Sequence, residues 1–314
     1  MPSVTVLGAG PGGYAAAFYA ADLGMNVALV DSEPNPGGVC LYRGCIPSKA
    51  LLHVAKLIGE AKHAESWGVK FGEPAIDLDR LRSYKDQVVQ KMTGGLSQVA
   101  KLRKITYFQG TATFVDPRTL SVALTAGGTE SVTFDHAIIA TGSRPATVPG
   151  LSIDSPRVMD STGGLDLPDK PGSLLVVGGG YIGLELGSVY AALGTKVTVV
   201  EMTSGLLPGA DRDLVAILHR RLEKSLHKIL LNARVVEMKE VKNKIKVRID
   251  GAELAEADRE QTFDRVLVSI GTDTHDDLRV LKDIPVLIEA ARRSGLENKF
   301  FVPAEKLEPA LAAS

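Results

Sequence analysis

The sequence predicts an α/β protein made of two Rossmann-like dinucleotide-binding domains. Three observations predict it. An apolar strand, Val4-Thr5-Val6-Leu7, runs into Gly8-x-Gly10-Pro11-Gly12-Gly13, and a second, Leu174-Leu175-Val176-Val177, runs into Gly178-Gly179-Gly180-Tyr181-Ile182-Gly183. Each motif opens a helical stretch rich in Ala, Leu and Tyr that stops at Leu-Gly, at Leu23-Gly24 and Leu193-Gly194. Each helix leads to a second strand, 27–30 or 197–200, that ends in an acid, Asp31 or Glu201, and every pair is offset by the same 170 residues. The physics of the motif is specific. Its first glycine permits a tight turn, the second lets backbone approach a pyrophosphate, and the third lets the helix pack closely on the strand. The pyrophosphate rests on unpaired N–H groups at the helix N-terminus, and the acid accepts hydrogen bonds from a ribose diol. Glu201 repels a 2′-phosphate, and residues 202–208 hold no Lys or Arg to welcome one, which favours NAD over NADP at the second site.

The remaining elements follow in order. After Asp31 comes Gly37-Gly38-Val39-Cys40-Leu41-Tyr42-Arg43-Gly44-Cys45-Ile46-Pro47-Ser48-Lys49, which carries both cysteines of the chain. Pro47 suits the first turn of a helix, where a missing N–H costs nothing. Cys45 is therefore expected at a helix start, where the dipole and free N–H groups favour a thiolate. Two thiols this close can open and close a disulfide beside a redox cofactor. That helix continues over 50–64. A long helix is expected over 78–102, broken near Thr93-Gly94-Gly95. Short strands are expected at 105–109, 112–115, 119–124 and 131–134, with a turn at Ala126-Gly127-Gly128. Residues 136–143 read as a buried strand ending in a glycine turn, and Pro145, Pro149 and Gly150 as a linker. Past the second repeat, 211–226 reads as a helix, followed by strands to Gly271. Within these, 239–248 alternates polar and apolar residues as a solvated strand face does. Residues 278–293 and 307–313 read as short amphipathic helices.

Composition excludes several classes of function. With 36 Lys and Arg against 37 Asp and Glu, the net charge is −1, which offers no electrostatic case for nucleic acid or an anionic membrane. No run is long and apolar enough to span a bilayer, and the first residues carry no signal or transit pattern. A cytoplasmic location is the expectation, where a cycling disulfide is favoured over a permanent one. The histidines have no metal-ligand spacing, so no metal is expected. His53 lies four residues past Lys49 and reads as a packed helix residue.

Together these residues resemble the flavoprotein disulfide reductases, most closely their dihydrolipoyl dehydrogenase branch. The resemblance is carried by the first glycine motif, the Gly38-to-Lys49 segment, Ala140-Thr141-Gly142-Ser143-Arg144-Pro145, and the second motif through Glu185 with Glu201. It implies FAD at the first site, with Gly8, Gly10, Pro11, Gly12, Gly13, Asp31, Gly38, Val39, Cys40, Lys49, Ala112, Thr141, Gly142 and Ser143 contacting it. It implies NAD at the second, with Gly178, Gly179, Gly180, Tyr181, Ile182, Gly183, Glu201, Val235 and Gly271 lining the site. Cys40 would exchange with the dithiol of lipoamide or a lipoyl domain, Cys45 would pass electrons to the flavin, and Lys49 would pair with Glu185 near the ring. The domains implied are 1–148 for FAD and the disulfide, 149–271 for NAD, and a divergent tail at 272–314. Tyr42-Arg43 stands where the family usually has Asn-Val. Family members are homodimers within 2-oxo acid dehydrogenase complexes. After Gly271 the family's Arg and Pro-Asn, its Gly-Asp motif and its His-Pro…Glu base are missing, so dimerisation is not expected and lipoamide turnover should be slight. Two other readings stand beside this one: a non-catalytic nucleotide-binding module, and another disulfide reductase of the same family.

Overall fold

Residues 3–148, 150–151, 153–274 and 300–303 are described by the structure, a computed structural model. The alternation of apolar strands and helices yields β1 (Ser3–Leu7), α1 (Pro11–Asp22), β2 (Asn26–Asp31), α2 (Gly38–Arg43), α3 (Cys45–His63) and α4 (Leu78–Leu102). Then come β3 (Thr106–Asp116), β4 (Thr119–Leu124), β5 (Thr129–Thr133), β6 (His136–Ile139), β7 (Ser143–Pro145), β8 (Val158–Met159) and α5 (Ser161–Leu165). The second repeat supplies β9 (Ser173–Val177), α6 (Tyr181–Ala192), β10 (Lys196–Val200) and α7 (Arg212–Ser225). It is followed by β11 (Lys228–Leu230), β12 (Arg234–Val241), β13 (Lys244–Asp250), α8 (Glu256–Arg259), β14 (Glu260–Phe263), β15 (Arg265–Val268), β16 (Thr272–Thr274) and β17 (Phe300–Pro303).

The chain forms two compact units that interleave along the sequence. One gathers the described residues of 1–43, 88–144 and 273–314, and the other those of 44–87 and 145–272. The cysteine-bearing α3 thus belongs with the second glycine motif.

In the first unit the sheet runs β17-β6-β1-β2-β3-β4-β5. β1 pairs in parallel with β2 and β6, as a βαβ unit requires. One apolar cluster joins Val4, Val6, Val27 and Leu29 to Ala17 and Ala20 of α1. Another joins Leu7, Val30 and Ile139 to Leu120, Val122 and Phe134. The strands expected at 105–109 and 112–115 are one continuous β3. It pairs in parallel with β2 up to Gln109, then antiparallel with β4 from Gly110. A side chain at Gly110 would run into the Ala123 backbone, so the change of partner needs glycine there. β6 stops at Ile139, short of the strand expected to Ser143. β17 adds antiparallel to β6, in a tail that had shown no recognisable motif.

The expected break in α4 does not occur. Thr93 is 2 % exposed, and its hydroxyl donates to the Val89 carbonyl one turn back (3.0 Å), while Gly94 and Gly95 face open space. Two glycines cost about 2 kcal/mol relative to alanine, too little to break a helix of 25 residues.

In the second unit β11-β10-β9-β15-β8 form a parallel sheet. Leu174, Val176, Leu184, Leu186 and Val189 pack with Leu51 of α3 on one side. On the other, Leu175, Val177 and Val266 meet Ile245, Val247, Ile249 and Phe263 of the antiparallel sheet β12-β13-β14. The polar–apolar alternation expected over 239–248 is real, for β13 buries Ile245, Val247 and Ile249 and exposes its charges. It belongs to a hairpin rather than one strand. Lys242 and Asn243 both take positive φ (50° and 60°), the geometry of a tight two-residue hairpin turn.

Asp264 joins the two sheets of this unit. It accepts from the Ser173 N–H (2.8 Å) and hydroxyl (3.0 Å) and pairs with Lys244 (2.9 Å). The Lys244 hydrogen bond, helped by those from Ser173 and opposed by burial, holds its carboxyl below the usual carboxylate range. The unfolded chain therefore binds this proton more readily. The stabilisation is complete above the ordinary carboxylate value of about 4 and is lost as pH falls through the lowered folded value. Asp264→Asn should narrow the difference between urea midpoints at about pH 7 and about pH 3. An unchanged difference would contradict this account.

Candidate nucleotide and redox-cysteine sites

At the first glycine motif, Pro11 is the first residue of α1 and Gly10 its cap, with extended backbone (φ −69°, ψ −179°). Gly8 takes φ +90°, and a side chain there would strike the Ala140 backbone. Gly13 lies against the Gly8 carbonyl and is buried. Around Gly10 only the Gly38 Cα comes near, at 3.8 Å from an ideal Cβ. Asp31 ends β2 and accepts from the Ala9 N–H (2.5 Å) and the Glu33 N–H (2.9 Å). The acid thus does structural work that motif reasoning missed: it braces the glycine turn.

Two further residues brace the loop after Asp31. Tyr107 donates its hydroxyl to the Glu33 carbonyl (2.8 Å), and burial, then the Asp31 charge, pushes its phenol far above the ordinary value. Tyr42 of α2 donates to the Asn35 carbonyl and accepts from the Asn35 N–H, both at 3.2 Å. Arg43 pairs with Glu33 (2.5 Å). The two residues that depart from the family pattern therefore fasten α2, which carries Cys40, to the loop after Asp31. Gly37 N–H adds a bond to the Ala9 carbonyl (2.8 Å), and Gly38 (φ +56°) lies against Gly10. Val39 is exposed, as is Arg43.

Thr141 follows β6, with Gly142 at φ +79° facing open space. The Thr141 hydroxyl is buried without a hydrogen-bond partner. An orphan donor beside a glycine turn fits a bound group with polar atoms, because buried polar atoms are normally paired. Ser143 opens β7, and Ala112 lies in β3 opposite Val122.

The second motif repeats the first. Gly178 takes φ +107° against the Ser269 backbone, and Gly183 packs on the Gly178 carbonyl and Val176. Gly180 caps α6 and has nothing within 4 Å of an ideal Cβ, which leaves room for a phosphate. Tyr181, the first residue of α6, is 66 % exposed, and Ile182 is half-buried. Glu201, 6 % exposed, accepts from the Gly179 N–H (2.6 Å), the Thr203 N–H (2.8 Å) and the Thr203 hydroxyl (2.8 Å). The nearest arginine down the chain, Arg212, spends its donors on the Leu206, Leu207 and Ala210 carbonyls. Gly271 takes φ +120° with open space beside it. Val235 is buried in the core of this unit, so any contact to a nucleotide would be through its backbone.

Cys45 is exposed and is the first residue of α3, as Pro47 had suggested. Cys40, half-buried, lies within α2. Lys49 and Cys45 are four residues apart and so share a face of α3. Lys49 Nζ meets Glu185 Oε1 of α6 at 2.5 Å, and the Ser48 hydroxyl reaches Glu185 Oε2 at 3.1 Å. Glu185 thus anchors the cysteine helix to the helix of the second glycine motif. The Lys49–Glu185 pair was expected. The Ser48 contact was not, although Ser48 stands in the same quoted motif. His53 is exposed rather than packed. Among the described residues no cluster of side chains suits a metal ion, and no helix is long and apolar enough to cross a membrane. The helices expected at 278–293 and 307–313 lie outside the described residues.

Fold and site define a protein with two dinucleotide-binding βαβ units and a closely spaced cysteine pair. The chain belongs to the pyridine nucleotide-disulphide oxidoreductase family, whose model matches residues 2–295. It is 49 % identical over 268 residues to a dihydrolipoyl dehydrogenase of Haemophilus influenzae, covering 85 % of this chain and 55 % of that protein. It is 40 % identical over 319 residues to a dihydrolipoyl dehydrogenase of Geobacillus stearothermophilus, covering 98 % of this chain and 66 % of that one. Among solved structures it resembles the HOCl-induced flavoprotein disulfide reductase RclA from Escherichia coli, in its Cu(II) complex. The TM-score is 0.72 and the identity 29 %, over 88 % of this chain and 58 % of that one. The chain thus spans roughly half to two thirds of the length of these relatives.

Proposed function

We propose that this chain is a dihydrolipoyl dehydrogenase-type flavoprotein, binding FAD at the first glycine motif and NAD at the second. Its substrate would be a dithiol of the lipoamide class. The observation that carries this reading is the duplicated clamp, in which Asp31 holds the Ala9 N–H and Glu201 the Gly179 N–H. Both turns are built to leave backbone N–H groups and an acid facing a dinucleotide. The orphan Thr141 hydroxyl fits FAD at the first site, and the open space at Gly180 fits a pyrophosphate at the second.

FAD and NAD, when bound, would supply the hydride chemistry that side chains lack. The chain's own residues handle the thiols. A substrate thiolate attacks Cys40 in the Cys40–Cys45 disulfide and releases the Cys45 thiolate. The second substrate thiol then displaces Cys40, leaving the substrate as a disulfide and the two cysteines holding its electron pair. Oxidation of that pair would restore the disulfide: of the two thiol hydrogens, one would leave with the electron pair as the hydride accepted in the end by NAD⁺, and one would be released as a proton. Lys49, held by Glu185, places a cation on the face of α3 that carries Cys45.

On the resemblance, residues 1–148 would serve FAD and the disulfide and 149–271 NAD, with 272–314 a divergent tail, whereas contacts group 44–87 with the second motif and 273–314 with the first. The partner would be a lipoyl-bearing protein of a 2-oxo acid dehydrogenase complex, and the setting a cytoplasm. An absorption spectrum taken after FAD addition, then after anaerobic dihydrolipoamide, tests the reading. The expected result is a flavin spectrum that gains a long-wavelength thiolate-to-flavin band, lost in Cys45→Ser. A chain that takes up no FAD would sink it. FAD uptake with no response to the dithiol would favour a non-catalytic nucleotide-binding module.

A further inference from the structure

The two ribose-binding acids differ in how full they are. A carboxylate offers about four acceptor positions over its two oxygens. Asp31 has two filled, by the Ala9 and Glu33 N–H groups, and so keeps two for a ribose diol. Glu201 has three filled: by Gly179 N–H, Thr203 N–H and the Thr203 hydroxyl. A diol needs two, so one donor must leave. The two backbone donors are fixed by the turn. The Thr203 hydroxyl has a second acceptor within reach, the Gly205 carbonyl at 2.9 Å, and only one proton to give.

We propose that Thr203 is a placeholder donor at the second nucleotide site. Its hydroxyl satisfies the buried Glu201 carboxylate while the site is empty and turns to the Gly205 carbonyl when a ribose diol arrives. The exchange weakens nucleotide binding by part of one hydrogen bond and favours release. This suits a site whose nucleotide must leave at every turnover, whereas Asp31, with Glu33 at the matching position, offers no such donor. The inference rests on the reading of the second site as an NAD site. It concerns a residue that neither the glycine motif nor the acid rule singles out.

The test is a fluorescence titration of the full chain with NADH and with 2′-deoxy-NADH, missing the 2′-hydroxyl of the adenosine ribose. Thr203 is exposed, so Thr203→Val should fold, and a thermal melt checks that it does. The variant should bind NADH about 3- to 10-fold more tightly, the difference in worth between a hydrogen bond to a carboxylate and one to a carbonyl. It should bind the deoxy nucleotide as the parent does, because three donors and one hydroxyl already fit on the carboxylate. Thr203→Ser, which keeps the hydroxyl, should match the parent with both. Weaker NADH binding in Thr203→Val, or equal tightening for both nucleotides, would overturn the proposal. A parent chain that binds neither nucleotide would overturn the NAD reading itself, and the inference with it.

Discussion

Glu201→Ala is expected to weaken NADH binding on the order of 10- to 100-fold and to destabilise the second unit. The two effects have separate causes. Hydrogen bonds to a charged acceptor are worth about 1.5–3 kcal/mol, and a ribose diol would lose its acceptor outright. The Gly179 N–H, paired with this side chain at 2.6 Å, would be left buried without a partner. An orphaned donor of that kind costs about 1–3 kcal/mol. Urea unfolding should therefore show a lower midpoint with an unchanged slope. Glu201→Gln keeps the shape and one acceptor, and so should fall between parent and alanine in both measurements. If Glu201→Ala bound NADH as tightly as the parent, the acid would be a brace for the turn and nothing more.

Gly178→Ala and Gly180→Ala should fail in opposite ways, although both lie in one motif. Gly178 sits at φ +107°, and an added Cβ would stand 2.9 Å from the Ser269 carbonyl carbon and closer still to its oxygen. Backbone there cannot swing aside as a side chain end can. Left-handed strain of about 1–2 kcal/mol and overpacking of about 1–3 kcal/mol together predict a large loss of stability. Gly180 has ordinary extended backbone (φ −75°, ψ 172°) and open space around it. Gly180→Ala should therefore fold as the parent does. Its methyl group would occupy the space that a pyrophosphate needs, so NADH binding should drop sharply in a protein with an unchanged melting curve. A Gly180→Ala chain with full NADH affinity would show that the phosphates lie elsewhere.

Much of this molecule was legible before any coordinate. The duplicated motif, the terminal acids and the cysteine helix begun by Cys45 all depend on short-range rules: strand and helix periods, glycine where φ is positive, proline in a first turn. The family resemblance rested on the same residues. The Lys49–Glu185 pair, 136 residues apart, was implied by the resemblance alone. Other elements turn on choices that breaker signals and alternation do not encode, some local and some set by partners far along the chain. Residues 93–95 carry breaker signals, yet α4 passes through them, because the Thr93 hydroxyl bonds within the helix and the glycines cost little. β3 reads as two strands, yet it is one, because it changes from a parallel to an antiparallel neighbour at Gly110. Residues 239–248 show true alternation, but the fold at Lys242-Asn243 is a turn choice that alternation does not encode.

The sequence by itself determined where the two glycine turns, their terminal acids and the start of the cysteine helix fall, because those features act through fixed local spacings. Only the tertiary structure decided which groups compete for each acid. Glu33 and Thr203 occupy matching positions in the repeat, yet one reaches toward Arg43 and the other caps Glu201. Which acceptors lie within 3 Å of a hydroxyl is a property of folded loops, and no pattern of residue types reports it.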